Sequence, residues 1–371
     1  MSEATEQEKI RDMADWWLVG SALSLMGLGL VMVFSASGVM AERLFADGDH
    51  FFLRQSGFAV LGVTVMWIAA QVPMGLIYRF VYLWLLVAFV LLGLTLTPLG
   101  VQAGGASRWL DLGNFSLQPL EPAKVALVLY LGYFLSHKQD KMKTFSVGFV
   151  PPVIITACLA GLLLMQPDFG GAVFMAVLFM IMSMIGGTRL VYLLSSGLFC
   201  LGIGAYMIAN SPYRLKRWLV FLDPFQNAAD AGYQVVQSLY GLGLGGLFGQ
   251  GLGAGKQKLF FLPEGHTDFI VAVLGEELGF AGLSILFVCL GVYMFRGLTI
   301  ALGQENLQDR FTALGLCLVV VLGGLLNLAV VMGAVPPKGL PMPFISYGGS
   351  NLLVACLCTG LLVNIDRRSR R

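Results

Sequence analysis

Ten long apolar runs constrain the fold of this chain more than any other feature. They lie at about 16–40, 55–72, 78–98, 119–137, 146–165, 168–186, 190–209, 268–296, 311–335 and 345–365. A helix of about 20 apolar residues crosses a hydrocarbon core of roughly 30 Å. Of the 371 residues, 57% are hydrophobic and 12% are charged, whereas a soluble domain carries about 25% charged residues. The sequence therefore predicts an all-α integral membrane protein with about ten transmembrane helices, in one polytopic domain over 1–371.

The distribution of basic residues predicts the orientation. Ten spans place both termini on one side, which collects 13 of the 23 Lys and Arg residues. Cytoplasmic loops are enriched in these residues, so we expect both termini to be cytoplasmic. The first span is expected to be retained, because no signal-peptide pattern precedes it. A large extracytoplasmic loop, 210–267, then lies between spans 7 and 8. Basic residues on that outer side favour an anionic ligand there.

Several features exclude other classes of site. The six cysteines lie inside predicted spans without a CxxC pair, which indicates apolar packing and not disulfides or a metal site. The net charge of +2 gives no support for a nucleic-acid partner. The glycine-rich run 241–253 contains a G-x-G-x-x-G pattern, but no strand precedes it, so a dinucleotide site is not expected.

Asp268 stands where a polar loop enters the eighth apolar run. An acid at the water edge of a span is costly and is a functional candidate. The alternative is a helix N-cap at Thr267 or Asp268. The nearby residues Glu264, Lys256 and Lys258 favour a tuned acid, since burial raises a carboxyl pKa and cations lower it. A general base working near neutral pH needs such tuning.

Two further acids lie about two helical turns deeper in the same run. On a continuous helix, Glu276 lies about 80° from the face of Asp268, whereas Glu277 points the opposite way. This geometry predicts that Glu276 lines the same cavity and that Glu277 pairs elsewhere. Structural pairing of at least one of them is the stronger expectation.

Gln118, Glu121 and Lys124 recur every three residues at the start of the fourth span, so they share one helical ridge. Two interpretations are open: a Glu121–Lys124 pair that neutralises itself, or polar groups of a binding cavity. In both cases the ridge should face the bundle interior or a wet cavity.

Three other positions carry two interpretations each. Arg54 either extends to the membrane interface or faces the cavity. In the glycine-rich loop 99–118, Trp109 either anchors the interface or stacks on a sugar ring beside Arg108 as a phosphate-binding cation. Asp168 opens the sixth span and is equally well explained as a helix cap or as a site residue.

The turn after the ninth span is rich in proline and glycine and carries Lys338, Ser346 and Ser350. Irregular backbone at membrane depth is tolerated only where it is buried or lines a cavity. The sequence therefore predicts that this segment forms a cavity wall.

Taken together and in this order, these segments resemble the SEDS family (shape, elongation, division and sporulation). The matching motifs are GASRWL at 105–110, QPLEPAK at 118–124, QPDFG at 166–170, LPEGHTD at 262–268 and KGLPMPFISYGGS at 338–350. The form of the last motif is more similar to the division members than to the elongation members.

The resemblance implies a peptidoglycan glycosyltransferase that polymerises lipid II, a disaccharide-pentapeptide on undecaprenyl pyrophosphate. It implies that the protein works at the outer face of the bacterial cytoplasmic membrane, at the septum. It also implies a class B penicillin-binding protein and other division proteins as partners. Asp268 aligns with the family's essential acid, and we expect it to be the general base. Arg54, Lys124 and Lys338 are expected to hold pyrophosphate. Whether a divalent cation, Mg²⁺ or Mn²⁺, shares that role is left open.

Two other functions compete with this one. A lipid-precursor flippase or transporter also suits ten spans around a polar cavity, but the sequence shows no clear inverted repeat and its charges cluster at the outer side. A non-catalytic division scaffold would leave Asp268 dispensable.

Overall fold

The computed structural model describes residues 2–103, 106–111, 113, 115–211, 215, 218, 221–226, 228, 232–337 and 339–369. The α-helices whose bounds lie within these residues are α1 Ser2–Phe45, α2 His50–Ala69, α3 Met74–Arg79, α4 Val81–Leu94, α5 Leu120–His137, α6 Val150–Met165, α7 Phe169–Ile185, α8 Leu190–Ala209, α9 Tyr233–Leu244, α10 Ile270–Leu302, α11 Leu307–Val331 and α12 Gly349–Ser369. Two π-helical turns, Phe145–Phe149 and Gln257–Phe261, and a 3₁₀ turn, Gln139–Lys141, complete the helical structure of the described residues.

The helices confirm a multi-pass membrane fold. Each of the ten predicted apolar runs overlaps an α-helix, and run 78–98 falls on two, α3 and α4. Within the described residues, seven helices are long and apolar enough to cross a membrane, at Trp16–Phe45, His50–Ala69, Phe145–Met165, Leu190–Ala209, Ile270–Leu302, Leu307–Val331 and Gly349–Ser369. Helices α4 and α7 are apolar but shorter, and α5 carries the charged residues Glu121 and Lys124. The exact number of ten spans stays a prediction.

A small sheet interrupts the helical fold where the sequence predicts only a glycine-rich loop. Its strands are β1 Gly100–Ala103, β2 Ala106–Asp111 and β3 Ser116–Leu117, paired antiparallel in the order β1-β2-β3. Trp109 pairs with Val101, and Leu110 pairs with Leu117. Strands this short among glycines give a weak local signal, because their stability comes from cross-strand pairs. The sheet presents Arg108 and Trp109 on an ordered strand.

Helices α5, α11 and α12 form the centre of the bundle. The apolar windows of α11 and α12 are 72% and 78% buried, against 6% for α8 at the periphery. Small residues bring α5 and α11 together: a methyl group on Gly132 would collide with Thr312, and one on Gly315 would collide with Val128. Such residues let membrane helices approach closely.

The large loop 210–267 contains helix α9, Tyr233–Leu244, which covers the helix-like sequence QVVQSLY at 234–240. The mixture of basic and aromatic residues in segment 213–222 is typical of an interfacial helix, but this segment lies mostly outside the described residues. After α9 the chain passes through the glycine-rich run and the turn Gln257–Phe261 to reach α10. This path places the loop beside the start of α10, where Asp268 lies.

Candidate active site around Asp268

Asp268 lies in the turn that leads into α10, which begins at Ile270. The N-cap position is held by Phe269, without a side-chain cap bond. Thr267 donates its hydroxyl to the carboxylate of Glu264 at 2.7 Å. The structure therefore gives neither Thr267 nor Asp268 the capping role that the sequence left open.

Four hydrogen bonds connect this turn to the proline-rich segment, two of them through Asn327 of α11. The Asn327 side-chain amide donates to the Asp268 carbonyl and to the Leu340 carbonyl, at 2.8 Å each. Ser346 donates its hydroxyl to the Thr267 carbonyl at 2.5 Å. The Tyr347 N–H donates to the His266 carbonyl at 3.0 Å. The segment predicted as a cavity wall thus holds the backbone of Asp268 in place.

Arg108 and Asp268 approach each other across Gly339. A methyl group built on Gly339 would lie 3.2 Å from Asp268 Oδ2 and 3.4 Å from Arg108 Nη1. The two charged atoms are therefore no farther apart than the sum of these distances. Burial and, to a smaller extent, the nearby carboxylate of Glu264 raise the pKa of Asp268, and Arg108 lowers it; the net result is a pKa of about 7. Asp268 is thus close to half-ionised at neutral pH.

Arg108 also binds the turn before α7. Its Nε lies 3.6 Å from Asp168 Oδ1, and its Nη2 donates to the Pro167 carbonyl at 3.2 Å. Asp168 is the N-cap of α7 and accepts the Gly171 N–H at 3.1 Å. Asp168 therefore has the geometry of a helix cap. Its carboxylate also binds Arg108, which lies between the two acids Asp168 and Asp268.

Arg54 lies beside an aromatic cluster at the start of α2. It hydrogen-bonds to Tyr347, whose pKa is raised by burial and lowered by this arginine. The ring of Phe51 lies 5.0 Å from that of Tyr347 and 5.2 Å from that of His266. Burial lowers the pKa of His266, so a neutral imidazole is favoured at pH 7. Arg54 thus borders the turn that carries Asp268.

The Gln118 ridge forms a second polar cluster. Lys124 Nζ lies 2.7 Å from Glu121 Oε1 and 4.5 Å from the centre of the Phe174 ring. Ser350 accepts the Gln118 N–H at 3.0 Å and donates to the Ser116 carbonyl at 3.2 Å. Of the two interpretations, the structure shows the Glu121–Lys124 pair that neutralises itself. Within the described residues, no ion pair or hydrogen bond joins this cluster to Asp268.

Glu276 is structurally paired, as expected for at least one of the two acids, and its place in the Asp268 cavity stays a prediction. Its buried carboxylate accepts the N–H groups of Lys256 at 2.8 Å and Gln257 at 3.0 Å. The prediction that Glu276 lines the same cavity as Asp268 assumed a helix running through Asp268, whereas α10 begins after that residue. Glu277 pairs elsewhere, as expected, with Lys258 Nζ at 2.7 Å.

Sequence reasoning gave no site role to Asn327, Gly339 or Tyr347. Asn327 is a lone amide within an apolar run, which is itself a signal of function or pairing. Gly339 and Tyr347 lie inside the KGLPMPFISYGGS motif, but their contacts join distant parts of the chain. Trp109 is partly buried on β2, and Lys338 lies outside the described residues. The substrate-binding roles expected of these two stay predictions.

Comparison with known proteins identifies the family. Residues 16–371 match the model of the cell cycle protein family that comprises FtsW, RodA and SpoVE. The chain belongs to this family. It is 43% identical to the probable peptidoglycan glycosyltransferase FtsW of Trichlorobacter lovleyi, over 95% of this chain and 93% of that protein. It is 38% identical to stage V sporulation protein E of Bacillus subtilis, over 96% of this chain and 98% of that protein.

Solved structures share the FtsW/RodA/SpoVE fold over the same extent. A chain of a peptidoglycan synthase complex that coordinates polymerization and crosslinking superposes with a TM-score of 0.81, at 27% identity, covering 96% of this chain and 98% of that chain. The rod shape determining protein RodA of Thermus thermophilus superposes with a TM-score of 0.69, at 27% identity, covering 96% and 97%. The protein is therefore a multi-pass membrane protein of this family, and the resemblance found in its motifs is confirmed.

Proposed function

We propose that this protein is a peptidoglycan glycosyltransferase that polymerises lipid II into glycan strands at the outer face of the cytoplasmic membrane. Relatives that it matches over nearly their whole length bear that activity in their names. The observation that carries the proposal at the level of chemistry is a partly buried carboxyl, Asp268, with a pKa of about 7 beside Arg108. A general base is most effective when its pKa lies near the working pH.

The proposed reaction joins two lipid-linked sugars. The acceptor hydroxyl oxygen attacks the anomeric carbon of the donor, and Asp268 takes the hydroxyl proton as the new C–O bond forms. The bond between that carbon and the pyrophosphate oxygen breaks, and undecaprenyl pyrophosphate leaves with the electron pair. Protein cations stabilise the negative charge that develops on the leaving group.

The basic residues proposed to hold pyrophosphate differ in their surroundings. Arg54 is exposed next to Tyr347, and Arg108 lies at the base itself. Lys124 is buried and already paired with Glu121, so its charge is partly offset. We therefore rank Arg54 and Arg108 above Lys124 as phosphate ligands, with Lys338 proposed from the sequence alone.

A divalent cation remains part of the proposal. Among the described residues, no three His, Cys, Asp or Glu side chains lie close enough to hold a metal ion. Magnesium sites at phosphates use one or two carboxylates and complete their shell with phosphate oxygens and water. A Mg²⁺ or Mn²⁺ ion here would thus arrive largely with its substrate. Activity lost with EDTA and restored by either ion supports this; activity unchanged by EDTA contradicts it.

We also propose a role in cell division at the septum, with a class B penicillin-binding protein and other division proteins as partners. The FtsW relatives support the division assignment. The likeness to a chain of a complex that couples polymerization to crosslinking supports a transpeptidase partner. Copurification of the full-length protein with a class B partner tests the assembly.

The deciding experiment is polymerisation of labelled lipid II by the purified protein with its partner. Asp268→Asn should abolish glycan strands while partner binding is kept, and Asp140→Asn, at an exposed position in the 3₁₀ turn, should match wild type. Strands formed at the wild-type rate by Asp268→Asn would refute the assignment of the base. Movement of lipid II across vesicles without strand formation would favour a flippase, and partner-dependent assembly alone would favour a scaffold.

A further inference from the structure

Helix α10 is broken at Gly279. Its φ of 63° and ψ of −160° lie outside the helical region, in a conformation that favours glycine. A methyl group at this position would collide with the backbone nitrogen of Gly249. The break separates a leading segment, 270–278, from a trailing segment, 280–302. The leading segment begins directly after the turn that holds Asp268.

A loop segment, 246–251, lies against this break and replaces the missing helical hydrogen bonds. Four backbone bonds join them: Gln250 N–H to the Glu276 carbonyl at 2.9 Å, Gly251 N–H to the Glu277 carbonyl at 3.0 Å, Phe280 N–H to the Gly246 carbonyl at 2.9 Å, and Ala281 N–H to the Leu247 carbonyl at 3.0 Å. Non-helical backbone at membrane depth requires such partners from the protein. The leading segment is therefore bonded to the loop where an ordinary helix would bond to itself.

Side chains strengthen the same junction. The fully buried Glu277 carboxylate accepts from Lys258 Nζ at 2.7 Å, from the Ser35 hydroxyl at 2.6 Å and from the Gly253 N–H at 3.1 Å. Lys258 Nζ also lies 3.0 Å from Ser35 Oγ. We call Ser35, Lys258 and Glu277 the clasp. It ties the end of the leading segment to α1 and to the loop.

Stability alone does not account for this arrangement. An unbroken helix would satisfy the same backbone groups internally. A buried ion pair also often adds no stability over apolar residues of similar size, because its charges must be desolvated. The break and the clasp give a short helix two separate anchors. Asn327 binds the Asp268 carbonyl just before the helix begins, and the clasp holds Glu277, about 10 Å along the helix from Ile270.

We propose that Ser35, Lys258 and Glu277 are positioning residues, which set the placement of Asp268 against Arg108 through the leading segment. The catalytic part of this inference rests on the proposed glycosyltransferase function. The mechanical part, in which the clasp holds residues 270–278 independently of the trailing segment, does not depend on that function.

The test uses the full-length protein with its class B partner and two matched pairs of variants. Lys258→Met removes the clasp cation, and Lys256→Met changes an exposed lysine two residues away. Ser35→Ala removes one clasp hydroxyl without leaving a charge unpaired. Ser37→Ala, also on α1, removes a buried hydroxyl that bonds only to the Val33 carbonyl among the described residues. Lys258→Arg keeps the charge.

We expect amide exchange in 270–278 to become faster in Lys258→Met and Ser35→Ala, while exchange in 282–302 of these variants stays as in wild type. The controls Lys256→Met and Ser37→Ala should match wild type in both segments. Misplacing a catalytic group by about 1 Å costs on the order of 100-fold. The kcat of Lys258→Met should therefore fall about 10- to 100-fold with KM nearly unchanged, and that of Ser35→Ala should fall several-fold. Lys258→Arg should recover most of the rate.

Equal rates of amide exchange in 270–278 of Lys258→Met and Lys256→Met would refute the proposal that the clasp holds this segment. Faster exchange with an unchanged kcat, or a rise in KM alone, would overturn its positioning role. If the wild-type complex makes no glycan strands but exchange in 270–278 still responds to Lys258→Met, the clasp is supported and the proposed function fails.

Discussion

The ionisation of Asp268 predicts a specific pH dependence for polymerisation. A general base acts only when ionised. With a pKa of about 7, the ionised fraction is roughly one tenth at pH 6, one half at pH 7 and nine tenths at pH 8. The kcat/KM, which reports the ionisation of the substrate-free protein, should therefore rise about tenfold between pH 6 and pH 8 and then level off. An aspartate with the ordinary pKa of 3.8 would give a flat profile over this range.

Two neighbours should move the midpoint of this profile in opposite directions. Burial is the largest cause of the raised pKa, and both variants leave it in place. Glu264 raises the pKa of Asp268, so Glu264→Gln should move the midpoint to lower pH. Arg108 lowers that pKa, so Arg108→Met should move the midpoint to higher pH. Glu305→Gln, at an exposed position between α10 and α11, should leave the midpoint unchanged.

The assay is the initial rate of glycan formation from labelled lipid II at substrate concentrations well below KM, from about pH 5.5 to 8.5, with the partner present. The informative quantity is the midpoint, because Arg108→Met should also lower the plateau through lost charge stabilisation. A flat wild-type profile would refute Asp268 as the titrating base. Midpoints that move in the same direction in Glu264→Gln and Arg108→Met would refute the electrostatic account of its pKa.

Three further outcomes follow from the same geometry. Because folding raises the pKa of Asp268 from 3.8 to about 7, the wild type loses stability as pH rises through this interval. The gain in free energy of unfolding from Asp268→Asn should therefore be larger at pH 8 than at pH 5, by about 3 kcal/mol, and should appear as a larger rise of the thermal midpoint in detergent at pH 8. An equal gain at both pH values would contradict this. Lys124→Met should lower the free energy of unfolding by about 3–5 kcal/mol because Glu121 stays buried and unpaired. Adding Glu121→Gln should recover most of that loss, as measured by thermal unfolding. A double variant as unstable as the single one would contradict the stabilising role of the Glu121–Lys124 pair. Gly339→Ala should lower kcat several-fold with little change in the thermal midpoint, since its methyl group crowds Asp268 and Arg108; an unchanged kcat would show that the two side chains move aside freely.

The apolar helices, though not the exact number of spans, were predictable from the sequence because the bilayer leaves few solutions. A run of about 20 apolar residues satisfies its backbone in lipid only as a helix, and every predicted run overlaps at least one. The β-sheet was missed because β2 has only six residues and follows glycines, so its strand character comes from pairing with β1 and β3. Hydropathy therefore gives the helices but not the strand that presents Arg108.

The residues of the site were more predictable than their contacts. Motifs and charge at a span end single out Asp268, Arg108 and Asp168. The helical projection treats 268–277 as one helix, while α10 starts at Ile270, so it did not foresee that Glu276 binds the backbone of Lys256 and Gln257. The approach of Asp268 to Arg108 across Gly339 depends on tertiary packing, which a periodic pattern does not encode.

The surroundings of five acids separate structural carboxylates from a candidate base. Glu121 and Glu277 each bind a lysine at 2.7 Å, Glu276 accepts two backbone N–H groups, and Asp168 accepts a helix N-terminal N–H beside Arg108. In the part of the chain that the structure describes, the Asp268 carboxylate accepts no hydrogen bond, while its backbone is firmly held. Partners stabilise the ionised form of an acid, whereas burial without them favours the protonated form. Asp268 is thus the acid that keeps a neutral-range pKa, and the fixed backbone gives that proton-accepting oxygen a defined position.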